Sequence, residues 1–400
     1  MPLSRRRPLM LIAIASPLLL GAVGWWWRSR TAPERHLAEA LRLLDTDAPG
    51  EAEAWLPLPE SDPSTRDRAM IGRARLALAR QRPEQAIAPL DAVSADGASS
   101  IDAAYWKGRT LIALKSAKLA IAWFHRVLEQ RPDDLEARRW LAAASYDLGD
   151  WPAAVNAIEG LLRRKPDDAR AWRTLGALFK EEGELARSVD AYRTTLRHDG
   201  RQFEARFELA QVLLKLGRYD EAKQELDQCR GHVAEADRLD LLVQCLRARG
   251  ERDEAKALLD KALPVFPGHH GLLAQAALLD QADGDYARAL DSFNQALEVE
   301  PDNPQYLYQR GRLLRLLDRG EESERDLARA SSLNRDMARM AELNSKAIEH
   351  PDDPEVRCRL GELCVRLCMP ELAGYWYRAA LACDPDSKAA REGLQGLRLR

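Results

Sequence analysis

Aromatic residues make up only 6% of this 400-residue chain, and neither sign of charge prevails: 60 lysines and arginines stand against 63 aspartates and glutamates, a net charge of −3. That balance excludes the basic excess of a protein devoted to coating DNA or RNA, so no nucleic-acid partner is expected. The 23 glycines and 21 prolines are scattered, which excludes a low-complexity chain. No G-x-x-x-x-G-K-[ST], G-x-S-x-G, H-E-x-x-H or C-x-x-C-H motif occurs, so the chain is expected to be no enzyme, with no cofactor and no small-molecule substrate. With 46% hydrophobic and 31% charged residues, it is neither disordered nor a polytopic membrane protein. Its length admits two to four globular domains or one long array.

One apolar run stands out. A basic leader, residues 1–8 with Arg5, Arg6 and Arg7, precedes residues 9–27, where Ser16 is the only plainly polar side chain. Nineteen residues at about 1.5 Å each just cover a hydrocarbon core of roughly 30 Å. Trp25, Trp26 and Trp27 close the run, where indole rings favour the membrane boundary. The expectation is a single-pass membrane protein, N-terminus cytoplasmic, the remainder periplasmic or otherwise extracytoplasmic. A cleaved signal peptide, cut ahead of Trp25 with secretion of the rest, is the alternative.

Beyond the run the sequence is periodic. Ala52, Ala86, Ala120, Ala154, Ser188 and Ala222 each fall 34 after the last; Ala255 follows at 33, Ala289 and Ser323 at 34, and Ala373 at 50. Twelve residues ahead lies a second small series: Ala74, Gly108, Ala142, Gly176, Ala210, Val243, Ala277, Gly311 and Gly361. Large residues follow the first series by four, among them Phe124, Tyr192, Phe293 and Tyr377. Within each period apolar residues recur three or four apart in two stretches, the mark of two amphipathic helices. Gly149, Gly183, Gly217, Gly250 and Gly284 divide the stretches, where a helix end takes a left-handed residue. Pro132, Pro166, Pro267, Pro301 and Pro385 close units, with Asp133, Asp167, Asp302 and Asp386 as candidate N-caps. Such a unit cannot bury its own apolar face, and only stacking completes the core.

This pattern resembles the tetratricopeptide repeat family. Trp172, Leu175, Gly176, Phe179, Ser188, Tyr192 and Thr195 of residues 169–202 carry the resemblance most fully, and Ala277, Tyr286, Ala289, Phe293, Ala296 and Pro301 carry it in residues 270–303. It implies an all-α solenoid, a right-handed superhelix of about nine helix–turn–helix pairs. Residues 33–66 read as a degenerate first repeat broken by Pro57 and Pro59, 67–337 as eight repeats, 338–353 as an extra single helix, 354–387 as a final repeat, and 388–400 as a capping helix.

The resemblance also implies a function. The first helices of such arrays line a groove that takes a peptide or protein partner, so the chain is expected to be a membrane-tethered, non-catalytic scaffold or adaptor. An accessory subunit of an envelope polysaccharide or protein export complex is the alternative. The groove positions hold Tyr105, Arg109, Arg139, Tyr146, Arg173, Lys180, Phe207, Gln211, Lys215, Gln244, Arg247, Tyr308, Arg312 and Arg315. The arginines suit an acidic or carboxylate-ended segment, because guanidinium binds carboxylate bidentately. The family's carboxylate-clamp asparagine is missing, its places taken by Arg109, Ala143, Ala177 and Gln211.

Six cysteines remain: Cys229, Cys245, Cys358, Cys364, Cys368 and Cys383. Cys229 and Cys364 sit at core positions, where cysteine acts as a small hydrophobe, so free buried thiols are expected. Cys229, His232 and Cys245 lack a fourth zinc ligand, so no metal site is expected. His269 and His270 read as a surface turn. Trp106, Trp123, Trp140, Trp172 and Trp376 fall at helical core spacing and read as packing.

Overall fold

The computed structural model describes residues 32–46, 48–114, 116–350 and 353–398. The expected leader and apolar span, 1–8 and 9–27, lie outside the described residues. Among the described residues no helix is long and apolar enough to cross a membrane, and there is no strand. The chain forms two compact units, Met1–Ala144 and Ser145–Arg400.

The first unit opens with α1 (32–45), α2 (Pro49–Ala52) and α3 (Pro57–Ser61), the last two separated by a 3₁₀ turn, Glu53–Trp55. Proline lacks an N–H and fits only the first turn of a helix, so Pro57 starts a new segment where a full second helix would otherwise run. Then come α4 (Arg66–Ala79), a 3₁₀ turn at Pro83–Ala86, α5 (Ile87–Asp91), α6 (Ser100–Ala113) and α7 (Ala117–Gln130). Helix α8 (Leu135–Asp147) holds the boundary between the units.

The second unit continues as antiparallel pairs: α9 (Trp151–Leu162), α10 (Ala169–Glu181) with α11 (Leu185–His198), α12 (Phe203–Lys215) with α13 (Tyr219–Gln228), and α14 (Glu235–Arg249) with α15 (Arg252–Ala262). They are followed by α16 (His270–Asp283) with α17 (Tyr286–Val299), α18 (Pro304–Leu316) with α19 (Gly320–Glu349), α20 (Pro354–Arg366) with α21 (Pro370–Cys383), and α22 (Lys388–Arg398). Gly149, Gly183, Gly217, Gly250 and Gly284 all have positive φ, between 73° and 86°, the left-handed geometry the periodicity predicts.

The small and large series meet. A Cβ on Gly176 would stand 2.9 Å from the Tyr192 ring, and one on Gly361 2.7 Å from that of Tyr377. The missing side chain admits a buried ring from the second helix of the pair. Where the first series holds serine, the hydroxyl ties the pair together: Ser188 donates to the Gly176 carbonyl and Ser323 to that of Gly311, both at 2.7 Å.

Two expectations need correction. The N-caps fall one residue later than predicted, at Asp168 for α10 and Asn303 for α18, while Asp134 accepts from Ala137 N–H in the first turn of α8. The N–H of each of these residues bonds back three residues, to the carbonyls of Lys165, Glu300 and Arg131. Proline and the following aspartate therefore occupy the middle of a tight turn, where proline's fixed φ belongs, and the cap is the residue that leaves it. Second, the extra residues after 337 form no separate helix, because α19 runs unbroken for 30 residues. Between Gly320 and Pro351 the sequence holds neither glycine nor proline, so nothing stops the helix. Its far end, through Leu343 and Ala347, builds a separate core with Leu360, Trp376 and Tyr377. Leu394 and Leu397 of α22 pack against that core as its terminal cover.

Candidate functional site

Within the second unit the first helices of successive pairs, α10, α12, α14 and α16, touch one another, and the second helices α11, α13 and α15 each pack on the first helix of the following pair. The face of the first helices is thus the inner side of the stack. Of the predicted groove residues there, Lys215, Arg247, Tyr308, Arg312 and Arg315 are exposed, as is Tyr146, while Arg173, Lys180, Phe207, Gln211 and Gln244 are half-buried. In the first unit Tyr105, Arg109 and Arg139 are half-buried.

Their charges divide into spent and unspent. Arg173 reaches Glu208 of the next first helix at 3.4 Å, and Arg139 reaches Glu136 at 3.3 Å. Arg247 donates to the Gln275 side chain at 3.2 Å. Lys180, Lys215, Arg312 and Arg315 meet no carboxylate among the described residues; Arg312 lies 5.8 Å from the Tyr308 ring centre. Lys180, Lys215, Arg247 and Arg315 sit in the last turns of α10, α12, α14 and α18, where the helix dipole favours positive charge.

A polar network that the sequence reading passed over joins α14, α16 and α18. Asp240 accepts from Gln244 at 3.1 Å and from Gln275, while burial holds its carboxyl above the usual carboxylate range. A Cβ at Gly271 would collide with that carboxylate. The expected surface turn at 269–270 has work in this network: His269 accepts from Leu272 N–H to cap α16 and lies 2.9 Å from Asp237, and His270 lies 2.9 Å from the Tyr306 hydroxyl. Gly271 was the available signal, since a glycine inside a first turn marks a close approach.

The tryptophans also differ from expectation. Trp376 is buried, but Trp106, Trp123, Trp140 and Trp172 are only half-buried. In the first unit their faces carry cations: Lys107 lies 4.7 Å from the Trp123 centroid, and Arg109 lies 5.0 Å from Trp106 and 4.1 Å from Trp140. Trp172, with Leu175 and Phe179, floors an open cleft of about 570 Å³. Cys229, Cys245, Cys358 and Cys364 are unbridged and buried. Burial pushes the thiols of Cys229, Cys245 and Cys364 up to about 11. The His232 ring stacks on Phe203 at 3.6 Å. No group of three potential ligands disposed to hold a metal occurs among the described residues.

Paired helices, left-handed glycine joints and the close approach of a small and a large residue sixteen positions apart define an all-helical repeat array of the interaction-scaffold type. Models of the tetratricopeptide repeat match residues 111–178 and 180–240, and residues 71–134 and 275–332, together more than half of the chain, and the protein belongs to that family. Over 128 residues it is 33% identical to human Superkiller complex protein 3, a match spanning 30% of this chain and 8% of that protein. Among solved structures it is similar to PilF of Pseudomonas aeruginosa, with 21% identity, a TM-score of 0.43, and coverage of 52% of this chain and 94% of that one. It is also similar to MamA of Desulfovibrio magneticus, with 20% identity, a TM-score of 0.39, and coverage of 41% and 92%.

Proposed function

We propose that the protein is a non-catalytic scaffold that captures a segment of a protein partner on the inner face of its first helices. The observation that carries this reading is the set of accessible aromatic and unspent cationic side chains there, Tyr308, Arg312 and Arg315 on α18 with Lys215 on α12. Unspent cations favour a partner segment of acidic character. The apolar run 9–27 tethers the array to a membrane, so capture takes place at raised local concentration and a modest affinity suffices.

A photocrosslinking residue placed at Tyr308 or Tyr105 in intact cells is expected to trap a discrete protein, while the same residue at Arg325 on the second helix α19 does not. Labelling that is equal on the two faces, or absent from both, would overturn the scaffold reading. Carbonate extraction and protease accessibility of the same cells test the tether: the full chain should stay with the membrane fraction, and its release into the soluble fraction would remove that part.

A further inference from the structure

In the first unit an alternating stack of cations and indoles crosses three successive first helices. Arg75 of α4 lies 5.1 Å from the Trp106 centroid of α6, Arg109 of α6 lies 5.0 Å from the same ring, and Trp140 of α8 is 4.1 Å from Arg109 on its other neighbour. The two arginines are 34 residues apart, as are the two tryptophans, so one arrangement is laid down twice.

The two copies differ in their rings and in their anions: Arg109 lies against two indoles where Arg75 lies against one, and only one of the two meets a carboxylate among the described residues. Arg75 is ion-paired with Asp45, the last residue of α1. Its flat face is given to an indole and its N–H groups to a carboxylate. The half-buried cations around it are likewise matched: Arg73 bonds Glu60 at 2.7 Å and Lys107 bonds Asp91 at 2.8 Å. Arg109 meets no carboxylate among the described residues. The place 34 residues after Asp45 is Ala79, the last residue of α4, and it is exposed. Ring faces attract the charge of a guanidinium, but they do not satisfy its five N–H donors, which lie in its plane. A half-buried guanidinium held by two indoles and lacking an anion is prepared for one, because its orientation is fixed before the ligand arrives.

We infer that Arg109 is a carboxylate-reading residue: on the edge left free by Trp106 and Trp140 it takes an acidic group of the partner segment, in the place that Asp45 fills for Arg75. This rests on the scaffold reading and names the chemistry of one contact within it. The carboxylate is either an acidic side chain or the end of a chain.

The test uses the full-length protein and two peptides, acetyl-hexaglutamate amide and acetyl-(Gly-Ser)₃ with a free terminal carboxyl, titrated by calorimetry and by tryptophan fluorescence. The peptide that binds identifies the source of the carboxylate. Arg109→Gln is expected to weaken the binding about tenfold or more, and Arg109→Lys nearly as much, since an ammonium has no fork. Ala79→Asp is the decisive variant. It supplies the internal carboxylate, so it should weaken peptide binding similarly while thermal stability is kept or raised. Binding by Ala79→Asp equal to wild type would overturn the inference and leave the stack as a purely structural clamp, even if Arg109→Gln fails to fold. Failure of both peptides to bind the wild-type protein at millimolar concentration would overturn it too. Crosslinks at Tyr308 that persist in Arg109→Gln and Ala79→Asp, with peptide binding unchanged, would remove this contact and leave the scaffold standing. Loss of all inner-face crosslinks in the wild type removes the scaffold itself.

Discussion

Gly176→Ala tests why glycine recurs in the small series. The added Cβ would stand 2.9 Å from Cδ1 and Cε1 of Tyr192, against roughly 3.5–4 Å for a comfortable carbon contact. Tyr192 is 0% exposed, so its ring cannot swing into water and helices α10 and α11 must part. Overpacking of this kind costs about 1–3 kcal/mol, while alanine regains about 1 kcal/mol of helix propensity. The net expectation is a loss of up to about 2 kcal/mol, in place of the gain of about 1 kcal/mol an exposed helical glycine would show. The next unit supplies the compensating pair, for Ala210 there stands sixteen residues before Leu226. Tyr192→Leu alone leaves a cavity worth about 2 kcal/mol or more. In Gly176→Ala with Tyr192→Leu the methyl fills part of that space, so the double variant should lose less than the sum of the single ones by at least about 1 kcal/mol. Contacts in such an array are between neighbours, so the assay is local: amide exchange of peptides from α10 and α11 by mass spectrometry, tenfold in protection for each 1.4 kcal/mol or so. Protection raised above wild type in Gly176→Ala, or strict additivity in the double variant, would refute the close-approach account.

Three further outcomes follow from the same packing. Asp326, 8% exposed, receives Arg310 at 2.7 and 2.9 Å; Asp326→Ala leaves that guanidinium uncompensated and should cost about 3 kcal/mol in urea unfolding, with Arg310→Met recovering part of the loss. Burial raises the Asp240 carboxyl, so the folded chain holds that proton more tightly than the unfolded one, and this group's stabilising share, present below about pH 4, is lost as pH rises through the folded value. Asp240→Asn should therefore raise the melting temperature at pH 7, with the gain shrinking towards pH 4; a gain independent of pH would refute this. Native alkylation at pH 8 should modify exposed Cys368 and spare Cys229, Cys245 and Cys364, whose thiols stay protonated and shielded; rapid labelling of Cys245 would show the core to be open.

The fold was legible because its determinants repeat. A glycine that must be left-handed and a small residue that must admit a ring leave the same mark every 34 positions, as Gly183 and Gly176 do. What escaped was set by single departures. Continuity of α19 depends on the lack of any breaker after Gly320, a negative signal that unit counting overrides. The N-caps moved by one residue because Pro-Asp forms the turn itself. The groove residues could be named from their register, but not sorted. Arg173 is neutralised by Glu208, 35 residues away on the next first helix, and Trp106 shows a face to Arg75 of the preceding first helix. Such partners belong to adjacent layers, and no window within one repeat contains both members.

In an array whose units share one framework, equivalent positions serve as controls for each other, and function lies where they part. Arg75 and Arg109 share a register and an indole neighbour, and Arg109 has Trp140 as a second, but ring faces satisfy the in-plane N–H donors of neither. The difference that bears on their N–H edges is Asp45 against Ala79. If the stack served only to fasten first helices together, the second copy would profit from the same internal carboxylate as the first, because a half-buried cation left without an anion forgoes charge-assisted hydrogen bonds that are among the stronger ones in proteins. Retaining alanine at 79 forgoes that stabilisation and keeps the N–H edge of Arg109 open to something from outside. Ala79→Asp therefore separates the two roles by sign: a clamp gains stability and loses nothing, whereas a recognition site gains stability at the expense of capture.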